Sequence, residues 1–272
     1  MPVPYELGDE PDEHVVWITI DRPHARNSLD MDHFAQLRGA WDRFNEEDQA
    51  WVAIVTGVGD AFCTGADLKT YIPQVTAMQR RMKEDQTDVI DGYRLDDGVK
   101  AVLRGVKIYK PIIAAVNGVC VAGGMEMLGG CDIRVAVPGA TFAVMEPKRG
   151  LFAGGGTTVR LPRQIPFAQA MEFLLCADRI PAERAFAMGL LNEIVPTDEL
   201  REAALRYARR ITANGPFAVR KTKESVLRGL ATDMREAYKI ETAISAEVFS
   251  SEDAKEGPAA FAEKRPPRWT GR

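Results

Sequence analysis

Hydrophobic positions change period twice along the chain. Near-continuous apolar, β-branched runs at "VVWITI" (15–20), "WVAIVTG" (51–57), "IIAAV" (112–116) and "DIRVAV" (132–137) predict strands covered on both faces. Between the first two, Phe34, Leu37, Trp41 and Phe44 recur every three or four residues, which predicts a helix over Leu29–Asn45 capped by Asn27 or Ser28. Strands alternating with helices make the class α/β. From about Thr70 to Lys107 the pattern breaks up around "DGYRLDDG", and a helix, a mobile stretch and another helix are expected. Beyond Pro196 strand signals stop, and three helical runs (197–215, 216–230 and 233–251) precede "EDAKEGPAAFAEKRPPRW". Asn214-Gly215-Pro216 ends one helix and starts the next. The pattern divides the chain into an α/β body over 1–199 and a helical region over 200–272.

The stretch 111–131 is apolar enough to suggest a membrane span, but Asn117, five glycines and Glu126 near its middle argue against one. A carboxylate in such company needs a partner, a proton or a function. The bulk composition is that of a globular protein: 46% hydrophobic and 27% charged over 272 residues. A net charge of −4 offers no general attraction to nucleic acid or an anionic membrane, so neither is expected as a partner. Helix 29–47 is itself rich in acids (Asp30, Asp32, Asp42, Glu46, Glu47), which weighs against an RNA-binding face. Cys63, Cys120, Cys131 and Cys176 are widely spaced with no CxxC pair, and buried free thiols are expected. The acidic start "MPVPYELGDEPDEH" has no apolar core and resembles no export or mitochondrial leader, so the expected location is cytoplasmic.

Three stretches combine glycines with chemistry: "AFCTGADLK" (61–69), "NGVCVAGGMEMLGG" (117–130) and "FAVMEPKRGLFAGGGTTVRL" (142–161). The first two each follow a predicted strand, and a helix should begin near Gly123 or Gly124 with its first N–H groups unpaired. Two such donors from separate loops could hold an anionic oxygen. Phosphate-cradling signatures, GxSxG and HExxH are missing, and His14, His24 and His33 all precede these loops. A serine nucleophile or a bound metal therefore has no support, whereas Glu126 and Glu146 remain as two acids that could face one cavity in different protonation states.

In order and spacing these stretches resemble the enoyl-CoA hydratase/isomerase (crotonase) family, from "ITIDRPHARNSLD" to "FAEKRPP". The resemblance implies a β-β-α spiral body with a C-terminal helical trimerisation region, assembled as a homotrimer or a dimer of trimers. It implies no cofactor and no metal, because coenzyme A enters as part of an acyl-CoA thioester substrate. The N–H groups of Ala66 and Gly123 match the family's oxyanion hole, and Glu126 and Glu146 its two catalytic acids, which favours hydration of a 2-enoyl-CoA. An isomerase or another acyl-CoA lyase is the alternative. Ala25, Arg26, Asp67 and Leu68, with Gly124, are expected along the substrate and CoA path. Phe261 and Lys264 match positions reaching the adenine and its phosphate, in the same subunit or from a neighbouring one. Met145 and Ala153 stand where the family commonly has prolines, and Ala122 where it has a first glycine.

Overall fold

The structure, a computed structural model, describes residues 3–272. From its N-terminal side the chain forms β1 (Tyr5–Leu7), β2 (Val15–Ile20), α1 (Met31–Glu46), β3 (Val52–Gly57) and β4 (Ala61–Cys63). Next come α2 (Tyr71–Asp85), β5 (Val89–Ile90), β6 (Tyr93–Arg94), α3 (Asp97–Ala101), β7 (Ile112–Val116), β8 (Val119–Val121) and α4 (Gly123–Leu128). These are followed by β9 (Ile133–Ala136), β10 (Thr141–Ala143), α5 (Thr157–Gln164), α6 (Phe167–Cys176), β11 (Ile180–Pro181), α7 (Ala182–Ala187) and β12 (Glu193–Ile194). Four helices close the chain: α8 (Leu200–Thr212), α9 (Pro216–Gly229), α10 (Met234–Phe249) and α11 (Asp253–Glu263).

A six-stranded sheet has the order β1-β2-β3-β7-β9-β12, and a four-stranded sheet the order β11-β10-β8-β4. All neighbours are parallel except β1 with β2 and β10 with β11. Three times, a strand of the large sheet leads into one of the small sheet and then a helix: β3-β4-α2, β7-β8-α4 and β9-β10-α5. This is the β-β-α spiral. Its corners are pinned by two asparagines. Asn117 donates to Gly59 O (2.8 Å) and Ala61 O (3.1 Å), and the fully buried Asn27 to Val58 O (2.9 Å) and Ala61 O (2.6 Å).

Three expectations need correction. Helix α1 starts two residues late, with Asp30 as its cap, accepting from His33 N at 3.0 Å. Asn27 is occupied in the corner, and Leu29 is extended because it bridges Ala66. The centre of 70–107 is not a mobile stretch but the hairpin β5–β6. Its turn residues Asp91 and Gly92 both have positive φ, as a type I′ turn requires. Cys176 is exposed at the end of α6, while the other three cysteines are buried as expected.

The core lies between α1, the large sheet and α8. Trp41 and Phe44 of α1 are fully buried, and Trp41 Nε1 donates to Ala101 O at 2.9 Å. Burial of such side chains contributes about 1.5–3 kcal/mol each. Helix α8 lies against β3, β7 and β9 and sends Leu200, Ala204 and Ala208 into that same core. Helices α9 and α10 pack mainly on each other and expose Leu230, Met234, Tyr238 and Phe249.

Candidate active site

The loop after β4 is held by Leu29. Leu29 N donates to Gly65 O and Asp67 N donates to Leu29 O, both at 2.8 Å. In an extended chain successive N–H groups point to opposite sides. Those two bonds therefore turn the intervening Ala66 N–H the other way, and among the described residues no acceptor meets it. The second loop, after β8, reaches the same point. Gly123 opens α4, so its N–H has no intrahelical partner. The loops touch: a side chain on Gly65, at φ +83, would put its Cβ 2.7 Å from Gly123 N. A Cβ on Gly123 would lie 3.7 Å from Ala66 N. Ala122, directly before α4, sits at φ 51 and ψ −120, a conformation disfavoured outside glycine. That strain is the local consequence of an alanine at the position expected to be glycine.

Glu126 lies in the first turn of α4 and accepts a short hydrogen bond from Gly155 N. The approach requires glycine there, since a Cβ on residue 155 would fall 2.2 Å from Glu126 Oε2. Beneath the helix, Arg160 of α5 donates to Glu126 O at 3.0 Å and to the carbonyls of Val102 and Leu103. Burial raises the Glu126 carboxyl above the ordinary glutamate range, opposed by the Gly155 N–H and the charges of Arg160 and Arg104. Glu146 follows β10 and heads the short turn Pro147–Arg149, its carbonyl accepting from Arg149 N and Leu151 N. Its Oε2 is buried and meets no protein donor. Burial raises this carboxyl too, and the Glu126 charge adds to the rise, whereas Arg149 and the backbone of residues 145 and 146 oppose it. Cys63 lies just before the first loop, but burial pushes its thiol up to about 12, so it is not a nucleophile.

One cavity of about 790 Å³ brings these groups together. Ala25, Arg26, Ala66, Leu68, Gly123, Glu126 and Glu146 line it, alongside Phe34, Tyr71, Val75, Leu95 and Val99. Four expected residues do not line it. Asp67 instead pairs with Arg22 at 2.8 Å, which ties the two mouth loops together. Gly124 is buried against β4, where a Cβ would meet Cys63 O at 2.2 Å. Phe261 and Lys264 stand at the end of α11, with Phe261 87% exposed. Sequence reasoning missed the roles of Gly155 and Arg160. The triplet at 154–156 was their one visible signal, and glycines alone are too common in turns to interpret. Among the described residues no cluster of three His, Cys, Asp or Glu could hold a metal, and no helix is long and apolar enough to cross a membrane.

A spiral of β-β-α turns, with two unpaired N–H groups and two carboxyls in one cavity, is the arrangement that the resemblance to the crotonase family leads one to expect. Comparison with known proteins agrees. Residues 10–272 match the family model described as enoyl-CoA hydratase/isomerase. The chain is 40% identical to the enoyl-CoA hydratase EchA19 of Mycobacterium tuberculosis, covering 95% of this chain and 94% of that one. It is 36% identical to an (E)-benzylidenesuccinyl-CoA hydratase of Thauera aromatica over the full length of both. A crystal structure of enoyl-CoA hydratase from Mycobacterium tuberculosis superposes with a TM-score of 0.84 at 38% identity, covering 100% of this chain and 99% of that one. The chain belongs to the enoyl-CoA hydratase/isomerase family and is an enzyme of it.

Proposed function

We propose that the chain is an enoyl-CoA hydratase, adding water reversibly to a 2-trans-enoyl-CoA to give a 3-hydroxyacyl-CoA. The observation that carries this is the unlike setting of two carboxyls beside two unpaired N–H groups. The thioester carbonyl accepts from Ala66 N and Gly123 N, so charge moving onto its oxygen as C3 is attacked meets fixed dipoles. A donor of this kind is worth ~3–4 kcal/mol in the transition state. Glu126 has a backbone donor and two guanidinium charges near it, which favour its ionised form. It acts as the base: it takes a proton from water as the oxygen bonds to C3. Glu146 has a buried oxygen without a donor and feels the Glu126 charge, which favours its protonated form. It acts as the acid and delivers its proton to C2. The proton on Glu126 and the vacancy on Glu146 then balance through solvent. The two relatives named above are both hydratases of CoA thioesters, in keeping with this chemistry.

The test separates the two acids. Glu126→Gln and Glu146→Gln should each lower kcat by at least about a hundredfold, the low end for positioned acid–base groups. Glu146→Gln should in addition suppress exchange of the C2 proton of a saturated acyl-CoA with deuterated solvent. The double variant should lose less than the product of the singles, because the two acids act as a unit on one addition. If Glu126→Gln hydrates normally while Glu146→Gln is inactive, the two-acid assignment gives way to a one-acid isomerase.

A further inference from the structure

Apart from Arg26, expected along the CoA path, two arginines in the cavity are left over by this mechanism. Arg149 and Arg179 both line it, and neither is paired with a carboxylate among the described residues. Among the described residues Arg149 donates only to Met145 O, at 3.1 Å, and Arg179 makes no side-chain hydrogen bond. The segments that carry them run alongside one another. Arg149 ends the turn that Glu146 heads, and Arg179 immediately precedes β11. Strand β11 pairs with β10 with Ile180 opposite Phe142, so Arg179 falls level with the chain leading to Glu146. The preceding residue of each, Lys148 and Asp178, form a 2.5 Å ion pair that fastens the two segments.

From this juxtaposition we infer that the enzyme's preferred acyl group itself carries a carboxylate, held by Arg149 and Arg179. The inference rests on the hydratase reading of the site and adds the substrate class to it. A guanidinium offers a planar fork of donors that matches a carboxylate, and two of them, exposed at the edge of the cavity and in no ion pair among the described residues, offer donors that a ligand carboxylate can take over from water. The carboxylates lining the cavity are Glu126 and Glu146, and both are engaged in proton transfer under that reading. With a net charge of −4 the chain has no global attraction for an anionic acyl group, so local cations must supply it. Tyr71, Val75, Leu95 and Val99 give the same cavity an aliphatic and aromatic side. It suits an acyl group with an apolar body and a charged end.

The phosphates of coenzyme A are the other anions that two arginines could hold, and the test distinguishes the two sources. A series of trans-2-enoyl-CoA thioesters of increasing length is hydrated by the wild type, each length carrying either a methyl or a carboxylate at its far end. The expected result is a higher kcat/KM for the carboxylate-ended member at one or more lengths. Arg149→Leu and Arg179→Leu should each reduce the carboxylate-to-methyl ratio by at least about tenfold, the low end for a hydrogen bond to a charged group. Lysine at either position should restore part of the ratio. A wild type that hydrates methyl-ended thioesters but never prefers the carboxylate overturns this inference and leaves the hydratase reading standing. Equal losses on both members in the leucine variants also overturn it, because the arginines would then be serving the CoA phosphates. Hydration of neither member sinks the hydratase reading itself.

Discussion

Glu146, the acid of the proposed mechanism, draws on the stability of the fold that holds it. Its buried Oε2 has no donor, and burial raises its carboxyl above the ordinary glutamate range. A carboxyl raised in the folded state binds its proton more tightly there than in the unfolded chain. Its contribution to stability is therefore present in full below the ordinary glutamate value and is lost as pH rises through the raised one. At neutral pH the ionised form is disfavoured by the fold. Glu146→Gln should accordingly melt above the wild type at neutral pH while losing activity, and the difference should shrink as the pH is lowered into the acid range. Thermal melts of both proteins across that range check this, and a variant less stable than wild type at neutral pH would contradict it. At this scale the sequence was informative: two acids in apolar loops were visible as candidates without any contact map. Which groups tune them was not visible, because Gly155 and Arg160 act through a backbone N–H and a carbonyl contact that residue identity does not encode.

At the scale of elements, the site exists because two strand-to-loop corners meet. β4 and β8 are neighbours in the small sheet, so the loops leaving them arrive together at Ala66 and Gly123. Gly65 is the residue that lets them touch. Gly65→Ala would strain a backbone at φ +83 and drive a Cβ into Gly123 N and the Ala122 side chain, spreading the two donors. The expected loss is about a hundredfold or more in kcat, the cost of displacing one oxyanion donor. Binding of a saturated acyl-CoA should be weakened far less. Steady-state kinetics with a circular-dichroism check of folding makes the measurement, and wild-type turnover in a folded Gly65→Ala protein would remove these N–H groups from the mechanism. Helices and long strands were legible here because their periodicity extends over several turns. The hairpin at 89–94 was misread because two-residue strands carry no period, leaving only its Asp91-Gly92 turn as a signal. The start of α1 shifted because the tertiary bridge from Leu29 to Ala66 overrode the local capping choice.

For the whole molecule, the last helices pose the question of what covers them. Helix α8 belongs to the core of the body, whereas α9 to α11 leave Leu230, Met234, Phe249 and Phe261 exposed. We propose that this apolar surface is the contact between subunits of a homotrimer or dimer of trimers, and that Phe261 and Lys264 complete a CoA site there. Removing residues from about 250 onward should lower the assembly state and weaken CoA binding together. Phe261→Ser makes the same test with little risk to the fold, since that side chain is almost fully exposed. Sedimentation of the full-length chain as a monomer at micromolar concentration would refute the proposal.

What the sequence determined by itself was the α/β class of the fold, its longer strands and helices, and two acids as candidates for the reacting groups. These are local or ordered properties: apolar period, glycine-rich strand exits, and two acids at fixed positions along the chain. What only the tertiary structure decided was the meeting of residues distant in sequence. The Ala66 N–H is free because Leu29 binds the residues on either side of it, and Glu126 is oriented by a glycine 29 positions away. Asp67 was drawn out of the cavity by Arg22, and Gly124 was placed against β4 instead of the substrate. Each of these depends on which groups are brought together once the sheets have closed. That is a property of the packed whole, because any donor's partner can come from anywhere in the chain.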